Sequence, residues 1–286
     1  MEKAQATDKS LRMAVSTAGS APDTAPLPLL GEICDNLEKA HKLGYSAIEV
    51  HTRENAGLNY EKILDTCKTT GMRISAIVTG RLHNEEKVTL IDDDAAKVKV
   101  AMEGLRKYVD IAQKLHTDII IGWIRGNLPD GNNNEIYEKR LAGNIKELAI
   151  YAMDKNVRIL IEAINRYELN FLNTGRAILD LIGKYEIPNT FVHLDTFHMN
   201  IEEDDINSTI RYCADKLGYV HFADSNRKYP GAGHLDFASI VKTLKDINYQ
   251  GYVSVECLRK PTGEEAARMA IQNIQSIVKA YRMRSD

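Results

Sequence analysis

The sequence predicts a single (β/α)8 barrel of the α/β TIM-barrel class, and three observations predict it. Eight short β-rich runs alternate with eight longer stretches of helical spacing. Eight is the number of βα units that closes a parallel barrel. The length of 286 residues is ordinary for a one-domain barrel, and no linker divides the chain. Residues 1–286 therefore read as one domain, with the polar residues 1–10 as a flexible N-terminal tail.

The units follow in order. Met13–Thr17 is the first strand, and a helix pattern runs from Leu29 to Leu43, closed by Gly44. Glycine stops a helix there because it enters the left-handed region without a Cβ clash. Ser46–His51 precedes a helix over Asn59–Thr70, closed by Gly71; Arg73–Val78 precedes a long helix over Asp93–Leu115. Asp118–Trp123, a continuous apolar run, leads to a helix over Asn134–Lys155. In the second half, Arg158–Glu162 leads to Thr174–Tyr185, and Thr190–Asp195 to Glu203–Lys216. Gly218–Ala223 then leads to Asp236–Ile247, and Tyr252–Glu256 to Glu264–Tyr281. Such alternation argues for a parallel sheet covered by helices. A doubly wound open sheet is the competitor, but the turn after the first strand reads STAGS, not the GxGxxG of a dinucleotide fold.

Composition narrows the function. The net charge of −3 leaves no basic surface for a nucleic-acid backbone. No apolar run approaches the roughly 20 residues that span a bilayer, so no membrane partner is expected. Cys34, Cys67, Cys213 and Cys257 are scattered without a CxxC pair, as in a reduced, cytoplasmic protein.

Four ligand-type residues end four consecutive strands: Glu162 after RILI, Asp195 after FVHL, His221 within YVHF and Glu256 after VSV. In a barrel, side chains at the carboxyl ends of the strands converge on one pocket. Each alone reads more readily as a helix cap, a loop ion pair or a hydrogen-bonded core histidine. Three carboxylates and an imidazole brought together repel one another unless protons or a cation intervene. Three oxygen ligands and one nitrogen, without sulfur, suit one divalent ion: Mn²⁺ foremost, with Mg²⁺ or Co²⁺ as alternatives.

The segments EAINRYE at Glu162–Glu168, HLDTFHMNIEE at His193–Glu203, HFADSNRKYPGAGHLDF from His221 and SVECL around Glu256 extend the pattern. In this order they resemble the xylose-isomerase-like sugar isomerases and epimerases, in particular the ketose 3-epimerases of the D-tagatose 3-epimerase type. They are most similar to the branch that acts on 5-keto-L-gluconate. The resemblance is dense from the fourth strand to the C-terminus and thinner before it. It implies that Glu162, Asp195, His221 and Glu256 bind the metal and that Glu162 and Glu256 are the two acid–base groups. It further implies that His198 and Arg227 hold a substrate oxygen and that Glu168 contacts the substrate. Asp224 and His234-Leu235-Asp236 depart from the tagatose type and lean toward a keto-sugar acid.

The implied reaction inverts C3 of a ketose or keto-sugar acid through an enediolate that a chelated cation stabilises, with a carboxylate on each face. Arg125, in GWIRG, is placed to meet a substrate carboxylate bidentately, or else pairs with a loop acid. Trp123 either lines the pocket or fills the barrel. Glu49 and His51 either reach the far end of the sugar or serve the structure, and Arg81 in TGRL is a second candidate anion contact. The glycines of PGAG at Pro230–Gly233 allow close packing over the site rather than phosphate binding. An aldose–ketose or ketoinositol isomerase, a metal-dependent lyase and a non-catalytic sugar-binding barrel remain alternatives. A homo-oligomer, dimer or tetramer, is expected by analogy, with the C-terminal helix as a candidate interface.

Overall fold

The computed structural model describes residues 11–130 and 134–283. The expected tail, residues 1–10, lies outside the described residues. Eight parallel strands form the barrel: β1 (Arg12–Ala18), β2 (Ala47–His51), β3 (Arg73–Val78), β4 (Ile119–Ile121), β5 (Ile159–Glu162), β6 (Thr190–Asp195), β7 (Leu217–Phe222) and β8 (Tyr252–Val255). Each pairs with the next, and β8 returns to β1 through Arg12–Tyr252 and Val15–Val255, which closes the sheet. A two-residue strand, Leu29–Leu30, hangs on the edge of β1 opposite Thr17 and Ala18.

The helices, α1 (Ile33–Leu43), α2 (Tyr60–Thr70), α3 (Gly80–Glu86), α4 (Ala95–Leu115), α5 (Asn134–Met153), α6 (Gly175–Lys184), α7 (Thr196–Glu202), α8 (Ile206–Tyr212), α9 (Phe237–Asp246) and α10 (Gly263–Arg282), lie along the connections. Their starts follow local chemistry. Asn59, Asp94, Thr174, Asp205, Asp236 and Thr262 each accept a backbone N–H of the first turn. Gly44 and Gly71 end α1 and α2 in the left-handed region, as expected.

Most element ends shift by a residue or two, and four regions depart further from the sequence reading. The first helix begins at Ile33, because Leu29 and Leu30 are drawn into the sheet. The fourth strand stops at Ile121, and Trp123–Arg125 forms a 3-10 turn after Gly122. The short helices α3 and α7 occupy what read as loops, and the segment 203–216 is broken into α8 and a 3-10 turn at Ala214–Lys216.

Two apolar bodies hold the fold. The larger lies between barrel and helices, and the smaller lies inside the barrel, where Ala76, Val78, Ile120, Leu160 and Tyr219 pack with Phe191 and Tyr252. On the inward side this plug gives way, toward the carboxyl ends of the strands, to polar residues. Leu160 is followed two residues later by Glu162, Phe191 by His193 and Asp195, Tyr219 by His221, and Tyr252 by Ser254 and Glu256. The period of two keeps all of these on one face of the sheet.

Helix α10 buries Ala266, Ala267, Ala270, Ile271 and Ile274 against its own barrel, so that face serves the monomer's core rather than a partner. No helix among the described residues is long and apolar enough to cross a membrane.

Gly218 is the extra residue of a bulge, since Val192 pairs with Leu217 but His193 pairs with Tyr219. A Cβ there would stand 2.7 Å from both Leu160 Cδ2 and Phe191 Cβ. Gly218→Ala is expected to destabilise the fold by about 1–3 kcal/mol through overpacking. Urea unfolding reads this directly, and an unchanged midpoint would mean that the barrel interior yields at this point.

Candidate metal and acid–base site

Glu162, Asp195, His221 and Glu256 come together at the carboxyl ends of β5 to β8. All four are buried, and each offers a ligand atom within 4.8 Å of the others. His221 Nδ1 lies 3.7 Å from Glu162 Oε1, 3.7 Å from Asp195 Oδ2 and 3.5 Å from Glu256 Oε2. Those separations are too long for hydrogen bonds, and Nδ1 has no hydrogen-bond partner among the described residues. Donors that share one ion through bonds of about 2.1 Å sit roughly 3–4 Å apart, so the spacing and the oxygen-rich donor set fit a hard divalent cation.

Several groups hold this cluster in place. His221 Nε2 is 2.6 Å from Glu49 Oε2, and Glu49 is completely buried. Its other oxygen, Oε1, accepts from Ser16 Oγ at 2.6 Å and lies 3.1 Å from His51 Nε2. Glu49 therefore stands behind His221 and turns Nδ1 toward the carboxylates. Its complete burial and these partners give Glu49 a supporting position behind the ring. Burial alone would push the His221 imidazole down, but Glu49 and Glu256 outweigh it and hold the ring well above its ordinary value.

Asp195 does two jobs at once. Oδ1 caps α7 by accepting from the Phe197 N–H at 2.8 Å, and Oδ2 accepts from Arg227 Nη1 at 2.6 Å. Arg227 also donates through Nη2 to Glu256 Oε2. Burial would raise the Asp195 and Glu256 carboxyls. Arg227 and His198 outweigh this at Asp195, and His221 and Arg227 do so at Glu256, so both lie below their ordinary values. The backbone of Arg227 is left-handed, with φ of 60°, in a loop that Asp224 organises.

Asp224 accepts the backbone N–H groups of Ser225, Gly231 and Leu235 at 2.8, 2.8 and 3.1 Å. A Cβ on Gly233 would come within 2.3 Å of Asp224 Oδ1, so the PGAG glycine permits this close approach. Asp236 caps α9, and His234 Nδ1 lies 3.0 Å from Ser225 Oγ. The residues that leaned toward a keto-sugar acid thus have local structural work in this chain.

At the mouth, Glu168 accepts from Trp123 Nε1 at 3.1 Å and from Asn165 Nδ2 at 3.0 Å. Trp123 is 37 % exposed, which places it at the rim and not in the barrel's core. His198, on α7, points Nε2 at Glu162 Oε1 and Asp195 Oδ2, 3.9 Å from each.

Arg125 takes a different place from the one expected of a substrate contact. It is fully buried, and it donates to the carbonyls of Glu162 at 2.9 Å and Phe171 at 3.2 Å. Burial pulls its guanidinium down to about 10, against the raising influence of Glu162. Its reach ends on the backbone under Glu162 because the turn through Gly122 folds residues 123–125 back over the strand. Gly122 itself is under constraint, since a Cβ there would lie 2.9 Å from Glu162 Oε2. Arg81 is likewise engaged, with the Ser20 carbonyl and with Glu85 at 3.5 Å.

The sequence reading passed over His193. Its ring stands edge-on to His221, with centroids 4.2 Å apart, and neither nitrogen has a partner among the described residues. Burial, followed by the neighbouring His221, pushes it well below its ordinary value, so it packs as a neutral ring. The available signal was its position between Phe191 and Asp195 in the inward-facing series. A cavity of about 570 Å³ opens at the opposite end of the barrel beside Arg12, Arg73 and Arg158, away from these groups.

A closed parallel barrel with a buried ring of three acids and one imidazole at its carboxyl end is the class of scaffold that the fold and the site define. The chain belongs to the xylose isomerase-like TIM barrel family, whose pattern matches residues 37–277. The L-ribulose 3-epimerase of Methylomonas sp. strain DH-1 is 34 % identical over 220 residues, covering 76 % of this chain and 75 % of that protein. The D-psicose 3-epimerase of Agrobacterium fabrum is 32 % identical over 238 residues, covering 79 % and 80 %. The crystal structure of D-allulose 3-epimerase from Methylomonas sp. in complex with D-allulose superposes with a TM-score of 0.78 at 26 % identity, covering 93 % of this chain and 96 % of that one.

Proposed function

We propose that this chain is a divalent-metal-dependent epimerase that inverts C3 of a ketose, by removing the proton at that carbon and returning one to the opposite face. The observation that carries this reading is the pair Glu162 and Glu256, carboxylates from β5 and β8 that share one buried cluster with His221 and Asp195. Those four residues would hold the ion through three carboxylate oxygens and His221 Nδ1. The donors suit Mn²⁺, with Mg²⁺ or Co²⁺ as substitutes. When bound, such an ion draws electron density from the ketone and the adjacent hydroxyl and so acidifies the proton at C3.

The remaining chemistry belongs to the chain. One of Glu162 and Glu256 takes the C3 proton and the other delivers one from the far side. Arg227, already bonded to Asp195 and Glu256, and His198 donate toward the oxygen on which charge develops. Glu168, fixed by Trp123 and Asn165, presents acceptor oxygens to the sugar's hydroxyls at the mouth.

A neutral ketose is favoured over a keto-sugar acid. Arg81, Arg125 and Arg166 are each engaged within the chain, by Glu85, by backbone carbonyls and by Glu202. Four free, buried cysteines suit a reducing compartment and support a cytoplasmic location. A homo-oligomer is part of the same proposal.

The test is proton exchange in D₂O with Mn²⁺, followed by NMR over a panel of ketoses and keto-sugar acids. Deuterium at C3 of one substrate, with its epimer accumulating, is the expected result. Exchange without an epimer would replace epimerisation by isomerisation or elimination, and no exchange on any substrate would leave a sugar-binding barrel.

A further inference from the structure

Asn165 is 1 % exposed and sits between two of the groups just assigned to the substrate, Glu168 and His198. The orientation of its carboxamide follows from its neighbours. Oδ1 accepts from the backbone N–H of Tyr167 at 3.0 Å, and a backbone N–H can only donate. Nδ2 is therefore the atom 3.0 Å from Glu168 Oε1 and 2.6 Å from His198 Nδ1. A carboxylate oxygen meets an amide NH₂ without conflict. A ring nitrogen does so only through its lone pair, because a proton on Nδ1 would set N–H against N–H at 2.6 Å.

We infer that Asn165 is a positioning residue that holds His198 in the tautomer with its proton on Nε2, making that ring a hydrogen-bond donor aimed into the site. The geometry on the other side of the ring agrees. Nε2 faces Glu162 Oε1 and Asp195 Oδ2, both 3.9 Å away and both acceptors. A lone pair there would point at two carboxylates. It would also repel a substrate oxygen as negative charge grows on it, whereas an N–H strengthens its contact as the charge develops. Glu168 completes the set. By accepting from the same Asn165 nitrogen as well as from Trp123, it leaves the amide no freedom to rotate, so the mouth of the pocket and the proton on His198 are set by one side chain. The functional part of this inference rests on the proposed epimerase reading, while the tautomer itself does not.

The experiment is therefore spectroscopic first and kinetic second. Long-range ¹H–¹⁵N correlation of histidine-labelled protein, loaded with diamagnetic Mg²⁺ at pH 8, distinguishes the two tautomers. His198 is assigned among the eight histidines by the signal lost in His198→Gln. The expected pattern is a protonated Nε2 and a bare Nδ1. Asn165→Asp puts an acceptor against Nδ1, and it is expected to move the proton to that nitrogen and to lower kcat by roughly 100-fold with little change in KM. A protonated Nδ1 in the unaltered protein would overturn the inference, as would an Asn165→Asp spectrum and kcat that match the original. The first measurement needs no variant at Asn165 and so stands even where Asn165→Asp fails to fold. The expected spectrum combined with no turnover of any ketose would sustain the positioning role and sink the epimerase reading instead.

Discussion

Glu256→Gln is expected to lose at least about 10³-fold in turnover, within the range general acid–base groups supply, while ketose binding falls far less. The amide keeps the shape of the carboxylate and an oxygen for Arg227, which now donates to Glu256 Oε2, but it cannot take or return a proton. The loss should be asymmetric. With Glu162 intact, one of the two epimers still gives up its C3 proton to solvent, so deuterium enters that epimer without its partner accumulating. Glu162→Gln should show the mirror image with the other epimer. Exchange measured from both directions in D₂O separates the two carboxylates. Full turnover in either variant would sink the arrangement of one base on each face.

The second large effect is expected at a residue behind the four-residue cluster. Glu49 meets the cluster through His221, whose Nε2 lies 2.6 Å from Glu49 Oε2, and through His51, whose Nε2 lies 3.1 Å from Glu49 Oε1 and 3.6 Å from Glu256 Oε1. A carboxylate behind a ligating imidazole fixes the ring and raises its basicity, and removal of such a partner costs about 10–100-fold in metal affinity. Glu49→Ala is therefore expected to weaken Mn²⁺ binding to the metal-free protein by that factor, read by titration calorimetry. It also leaves His221 Nε2 buried without its acceptor, while Ser16 Oγ keeps Ser254 Oγ at 3.2 Å. An orphaned buried group costs about 1–3 kcal/mol, so the unfolding midpoint should drop as well. Glu49→Gln retains an acceptor and should fall between. Mn²⁺ affinity unchanged in a folded Glu49→Ala would mean that the barrel wall alone orients His221.

Much of this site was legible before any fold was known, and the reasons are local. Glu162, Asp195 and Glu256 each close an apolar run, and a strand that ends in an acid announces a carboxyl-end position. Period-two alternation then marks the same inward face for His221. His193 was equally legible on that rule, yet it lacks a strand end to signal it, and its role as a neutral packing ring depends on His221 standing 4.2 Å away. Arg125 illustrates the opposite case. Its residue type suggested recognition of an anion, but the turn at Gly122 and the carbonyl of Glu162 direct its guanidinium under the site. The helices α3 and α7 were missed because 7 residues are too few to establish a helical period.

What the sequence by itself determined is the barrel, its eight strands in order and the four residues that converge at their carboxyl ends. These depend on hydrophobic period and on the closure rule of a parallel sheet, both of which operate along the chain. Only the tertiary structure decided which groups stand behind those four. Glu49 to His221, Asn165 to His198 and Arg125 to the Glu162 carbonyl are partnerships across 172, 33 and 37 residues. No periodicity links such positions. Closing the barrel brings them within hydrogen-bond distance in a buried space, where each polar group must find a partner or bear the cost of losing water.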